Sequence, residues 1–252
     1  MLRFFRQIRQ RLLTDNKFSK YLLYAIGEIM LVVIGILIAL QVDNWNEERQ
    51  ERIAELNFLS RLREDLKVDN AYFRKRIEEA NSSEAAGKIF LKKLFEKQQS
   101  LEEAVSLWDL FREFHSSEML TIQNSTYSEM LYAGRLELIT DRELKSLLLE
   151  YYRECEKAAK HTTEFNAFTV GEMSNMVDQA PGLYVMPTYL KNTDLEFEEE
   201  YGYLNDPSSD AFKKIVHTAE MYISKHHFLN DLYFKELEAL STDLITRLEK
   251  VE

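Results

Sequence analysis

Three residue types are scarce in this 252-residue chain: one cysteine, three prolines and seven glycines. With Cys155 alone, no intrachain disulfide can form, and its surroundings (LLLEYYRECEKAAK) predict a half-buried position on an amphipathic helix. All three prolines (Pro181, Pro187, Pro207) fall in one stretch, so the rest of the chain lacks the strongest helix breaker. Alternating apolar and polar runs of useful length are also missing, which argues against sheet. Positive charge is in deficit: the net charge is −11. An acidic chain repels phosphate backbones, and no nucleic-acid partner is expected.

What the chain does have is an apolar run. Tyr21 to Val42 reads YLLYAIGEIMLVVIGILIALQV, 22 residues interrupted by one acid, Glu28. As a helix it would reach roughly 33 Å, enough to cross a hydrocarbon core of about 30 Å. Residues 1–20 carry six basic side chains against Asp15, a net of +5, whereas Asp43, Glu47, Glu48 and Glu51 follow the run. Basic flanks stay cytoplasmic, so the reading is an uncleaved anchor with residues 1–20 inside and 43–252 outside. A cleaved leader would be shorter, and Ala39-Leu40-Gln41 is a poor cleavage site. In the basic arm, Phe4, Phe5, Ile8 and Leu12 can share a face that could lie on anionic headgroups.

The expected fold is all-α: one N-terminal transmembrane helix, then an extracytoplasmic helical bundle. The domains would be a basic arm (1–20), a span (21–42) and a helical domain (43–252) with an irregular segment near 178–208. Ile53, Leu56, Leu59, Leu62 and Leu66 keep helical spacing, and Asn81-Ser82-Ser83 should end that helix, with Ser83 capping the next through about Gln98. Ser100 with Glu103, and Thr140 with Glu143, have capping-box spacing and open helices to about Phe114 and Phe168. Thr126 to Ala133 forms a short helix stopped by Gly134. Ser209 opens a last helix, broken near Asn230 or Ser241 and ending at Leu248; the first and last helices are expected to pair.

Candidate chemistry concentrates in the span. Glu28 would lie roughly 10 Å from its inner end. There a carboxyl costs about 2.5 to 3.5 kcal/mol on insertion scales. Spacings of three and four place Tyr21, Ala25, Glu28, Val32, Gly35, Ala39 and Val42 on one face. Gly35 and Ala39 form a small-xxx-small pair that permits close helix approach. Ala25, Glu28, Val32, Gly35 and Ala39 are thus the candidate association seam, and Trp45 a candidate headgroup anchor. Elsewhere the signals are thin. His161 with Glu164 and His217 with Glu220 reverse the order that di-iron helices use. His226-His227 reads as a solvated pair, and Glu196–Glu200 as a solvated acidic turn. No nucleophile elbow, phosphate loop or zinc spacing occurs. Neither a catalytic constellation nor a metal or cofactor is implied.

Lys20 to Arg49, KYLLYAIGEIMLVVIGILIALQVDNWNEER, resembles a large uncharacterised bacterial family of single-span proteins, through Gly27-Glu28, Gly35 to Gln41 and Asn44-Trp45-Asn46. Looser likeness covers Thr126 to Gly134 and Asp141 to Tyr152. The resemblance implies a bacterial envelope protein, of unknown activity, in the inner membrane. The function expected is a membrane-anchored, non-enzymatic interaction or scaffold protein. Its partners are the lipid bilayer and, through the span, a second copy or another membrane protein. The alternative is a ligand-sensing module that transmits through such a partner.

Overall fold

A computed structural model of the chain describes residues 18–117, 119–180 and 201–251. The basic arm up to Lys17, Glu196–Glu200 and most of the expected irregular segment lie outside the described residues. Every regular element among the described residues is helical. The chain divides into two compact units, one ending at Leu56 and the other beginning at Asn57. Helix α1 (Phe18–Leu94) contributes to both.

The first unit is the apolar part of α1 and the polar turns after it. From Leu22 to Val42 every large apolar side chain is solvent-exposed, as is Trp45. This helix is long and apolar enough to cross a membrane, and none of its most apolar window is buried within the chain. Further on, Arg52 pairs with Glu55 at 2.5 Å.

In the second unit α1 does not stop at Asn81-Ser82-Ser83, contrary to the sequence expectation; it continues to Leu94. The reason is packing. Its inward stripe runs without a slip through Leu66, Phe73, Ala80, Ser83, Ala86 and Phe90, all buried. Asn81 Oδ1 accepts a 2.9 Å hydrogen bond from Asn230 Nδ2, so a poor helix former is satisfied from another helix.

Helix α2 (Leu101–Phe114) starts as expected, with Ser100 Oγ accepting from the Glu103 amide and Glu103 accepting from the Gln99 amide at 2.6 Å. Helix α3 (Ser125–Tyr132) ends at Gly134, which takes φ +66°, a left-handed turn that glycine adopts without a Cβ clash. Helix α4 (Arg142–Gln179) departs from expectation at both ends. Its cap is Asp141 rather than Thr140: Asp141 Oδ1 accepts from the amides of Glu143 (2.9 Å) and Leu144 (3.1 Å). It also runs past Phe168, because Thr169, Met173 and Met176 continue the buried stripe of Leu148, Cys155 and Ala158.

Helix α5 (Asp210–Leu229) is capped by Ser209, whose Oγ accepts from the Phe212 amide at 3.1 Å. It passes through one π-turn, Asn230–Phe234, into α6 (Lys235–Leu248). The expected break at Asn230 is therefore a widened turn and the chain direction is kept. Helix α4 packs along α5 and then α6. The expected pairing of first and last helices is made by Asn70 of α1, whose Nδ2 donates to Ser241 Oγ (2.9 Å) and Thr242 Oγ1 (2.8 Å) of α6.

This unit holds two apolar cores. One gathers Leu62, Leu66 and Phe73 of α1 with Leu148 and Tyr151 of α4 and Leu237 of α6. The other gathers Phe90 and Leu94 of α1 with Phe111 and Phe114 of α2, Met176 of α4 and Tyr222 of α5. Aromatic edges meet in the second: Phe111 lies 5.4 Å from Phe90 and 5.0 Å from Phe114, centroid to centroid.

Candidate functional site

The seam residues sit where helical spacing places them. At 100° per residue, Ala25, Glu28, Val32, Gly35 and Ala39 occupy an arc of about 80° on α1. All but the half-buried Ala25 are exposed, and a Cβ added at Gly35 would meet nothing within 4 Å. Trp45 is exposed as well, but at 100° per residue it points away from that arc. Among the described residues, beyond the helix's own backbone, nothing lies within 4 Å of a Cβ placed at Gly35.

Inside the second unit, two polar clusters were illegible in the sequence. In the first, Arg61, Asp65 and Asp69 lie four residues apart on α1 and grip the segment that leads into α3. Arg61 donates to Glu129 at 2.6 Å. Asp65 Oδ2 accepts from the Thr126 amide at 3.3 Å, capping α3 from another helix where Asn124 makes no side-chain cap bond. Asp69 Oδ1 and Oδ2 accept from the Gln123 amide (2.7 Å) and the Tyr151 hydroxyl (2.8 Å). Tyr127 and Tyr152 stack beside it at 3.9 Å. Burial raises the Asp69 carboxyl above its ordinary range, opposed by those two hydrogen bonds. Burial also pushes the Cys155 thiol up to about 12. Cys155 is wholly buried, rather than half-buried as the sequence suggested, and is held as an unreactive thiol.

The second cluster lies between the two cores. Buried and part-buried polar side chains gather there beside apolar ones such as Ala80 and Phe165. Helix α1 contributes Arg76, the exposed Asn81 and Ser83; α4 contributes Asn166 and Thr169; α5 contributes Lys225 and His226, and the π-turn Asn230. Lys225 Nζ donates to the Ser116 carbonyl and, at 3.2 Å, to Asn166 Oδ1, and lies 5.0 Å from the Tyr222 ring. His226 Nε2 donates to the Phe114 carbonyl at 2.6 Å, satisfying the end of α2. The expectation of two solvated histidines thus holds for one: His227 is exposed beside Glu84 at 3.3 Å, whereas His226 is 5% exposed. Burial pushes its pKa down to about 4, against the pull of the Phe114 carbonyl. Burial wins because α5 must turn this face toward α2.

The remaining sequence candidates do not converge. His161 is hydrogen-bonded to the Tyr233 hydroxyl, and His217 Nε2 lies 3.3 Å from Glu172, not Glu220. Among the described residues no three His, Cys, Asp or Glu side chains gather as a metal-binding group. A surface cleft of about 500 Å³ is lined by Gln179, Asp210, Ala211, Lys213, Lys214 and His217. Its charges are matched locally: Glu172 holds Lys214 at 2.5 Å as well as His217, and Lys213 is 3.9 Å from Asp210. Glu172 is kept below the usual carboxylate range mainly by Lys214.

Residues 28–82 match the model of a family of unknown function (DUF6090). The matched segment takes in Glu28, Val32, Gly35 and Ala39 of the seam but not Ala25, together with Trp45, the Arg61–Asp65–Asp69 stripe, Arg76 and Asn81. No curated protein and no solved structure matches the chain. That Ala25, Glu28, Val32, Gly35 and Ala39 share one helical face could be read from spacing alone. The two internal clusters could not, because their members come from three or more helices with separations up to 149 residues, as for Asn81 and Asn230.

Proposed function

We propose that the chain is a single-span protein of the bacterial inner membrane that works by binding rather than by catalysis. Residues 1–20 lie in the cytoplasm and the helical domain lies outside it. Contact with a second copy or another membrane protein is made along Ala25, Glu28, Val32, Gly35 and Ala39, with Trp45 in the headgroup layer. The observation that carries this reading is the exposure of every large apolar side chain from Leu22 to Val42, with no other described residue within 4 Å of a Cβ at Gly35. Water would penalise that surface at about 25 cal/mol per Å², whereas lipid or a partner helix would not.

Orientation is supported by the charge asymmetry alone, +5 before the span and −15 in residues 43–252. The test has two parts. A Gln99→Cys variant in intact cells should react with a membrane-impermeant thiol reagent; protection until lysis would reverse the topology. In a membrane self-association reporter, Gly35→Leu and Glu28→Leu should each weaken the signal about threefold to tenfold. An unchanged signal in both would leave a lone anchor, provided a crosslinking pull-down also returned no partner through this face.

A further inference from the structure

Residues 119–124 lead into α3 as an irregular strap held by side chains of α1 and α4. Among the described residues, 119–123 make no hydrogen bond to another backbone group. Side chains supply those bonds instead. The Tyr72 hydroxyl donates to the Met119 carbonyl at 3.3 Å and accepts from the Thr121 amide at 3.4 Å. The Tyr152 hydroxyl donates to the Gln123 carbonyl at 3.5 Å. The shortest of these bonds, 2.7 Å, runs from the Gln123 amide to Asp69. Leu120 and Ile122 add half-buried apolar contact with the first core. The tightest polar hold on the strap is therefore a carboxylate.

Asp69 is 1% exposed and makes no ion pair among the described residues. A buried carboxylate ordinarily has a cation or a metal beside it, because the hydration it gives up must be replaced. Asp69 has only two donors, the Gln123 amide and the Tyr151 hydroxyl (2.8 Å). The titratable groups that face it are all acids: Asp65 one turn earlier on α1, Tyr151, Tyr152 and Cys155 on α4, and Tyr127 of α3 stacked on Tyr152. The cation of the same stripe, Arg61, is two turns away and bonds Glu129. Burial accordingly raises the Asp69 carboxyl, with Asp65 adding to the rise and the two hydrogen bonds opposing it.

A carboxylate held by a cation loses that stabilisation in acid; Asp69 behaves the other way. Lifting the strap would hydrate Asp69 and return it to its ordinary range. The closed state then holds the proton more tightly than the lifted one, so rising pH favours lifting. We propose that residues 119–124 are a proton-governed strap, held shut over a protonated Asp69 in acid and opening more often as pH rises and the carboxylate ionises. Opening uncovers the face that carries Asp69, Tyr151 and Tyr152, all buried when the strap is down. The inference concerns the folded unit from Asn57 onward and is independent of the membrane reading.

The test is hydrogen–deuterium exchange of the full chain in lipid nanodiscs at about pH 4, 5.5 and 7, with each amide rate divided by its intrinsic rate at that pH. Protection of the Gln123 amide should fall at least about threefold from pH 4 to pH 7. Protection that is flat, or that rises with pH, would overturn the strap. His226 gives the opposite sign, since its protonation opens the unit in acid. Asp69→Asn keeps an oxygen for the Gln123 amide and an amino group for the Tyr151 oxygen but carries no charge, so it should abolish the fall. A fall of wild-type size in that folded variant would remove Asp69 as the cause. Tyr151→Phe keeps the ring and deletes one donor to the carboxylate, so the fall should steepen by about threefold. An unchanged fall there would equally sink the proposal. Should a variant fail to fold, the wild-type profile decides alone.

Discussion

The apolar stretch of α1 and the folded unit after it invert each other's surface logic. From Leu22 to Val42 the large apolar side chains are exposed. In the folded unit it is polar groups that are turned inward: Asp69, Asn70, Lys225, His226 and Asn230 are each at least nine-tenths buried. An exposed apolar helix is stable only in a medium or against a partner that is itself apolar. A buried polar group is stable only where the fold supplies its hydrogen bonds. On the proposed reading the first region depends on lipid or a partner helix, whereas the second depends on contacts made far along the chain.

The sharpest way to break that comparison is to truncate the folded unit's core. Phe111 is fully buried among Phe90, Phe114 and Tyr222. Phe111→Ala should lower the unfolding free energy by about 3 to 5 kcal/mol in denaturant titration. An equivalent cut in the span, Leu37→Ala, should leave that free energy unchanged.

Acid should weaken the folded unit through His226. Its pKa falls from 6.5 to about 4 on folding, so the neutral ring's contribution is fully present above pH 6.5 and is lost as pH drops toward 4. Between pH 7.5 and 5 this group should cost about 2 kcal/mol of stability. His226→Gln, which can still donate to the Phe114 carbonyl, should flatten that part of the pH profile. An unchanged slope would mean that the ring's pKa does not shift on folding.

Two glycines sharpen the contrast further. A Cβ at Gly87 would lie 2.3 Å from Ile223 Cγ1, whereas one at Gly35 meets nothing within 4 Å. Gly87→Ala should destabilise by about 1 to 2 kcal/mol once overpacking is set against the gain in helix propensity. Gly35→Ala should leave unfolding of the second unit untouched. The smallest expected effect is at a helix start. Ser209→Ala removes the oxygen that accepts from the Phe212 amide, for a loss of about 1 kcal/mol by thermal unfolding.

Caps and stops were legible residue by residue where the signal is local. Ser100, Ser209 and Gly134 each act within three residues of the backbone groups they serve. At Thr140 the same kind of signal misled, since Asp141 next to it is as good a cap and is better placed. At Asn81 local propensity lost to an uninterrupted buried stripe and to Asn230 of the π-turn. Of the candidate site, the shared face of Ala25, Glu28, Val32, Gly35 and Ala39 was legible because it follows from helical spacing alone.

Composition and periodicity alone determined that the chain is helical, that one segment is apolar over membrane length, and that Glu28, Gly35 and Ala39 share its face. These follow from interactions within four residues, which every helix makes in the same way. Only the tertiary structure decided that Asp65 caps α3, that His226 is buried while His227 is not, and that polar side chains gather between the two cores. Each of those depends on which helices meet and at what level, and local spacing carries no record of that.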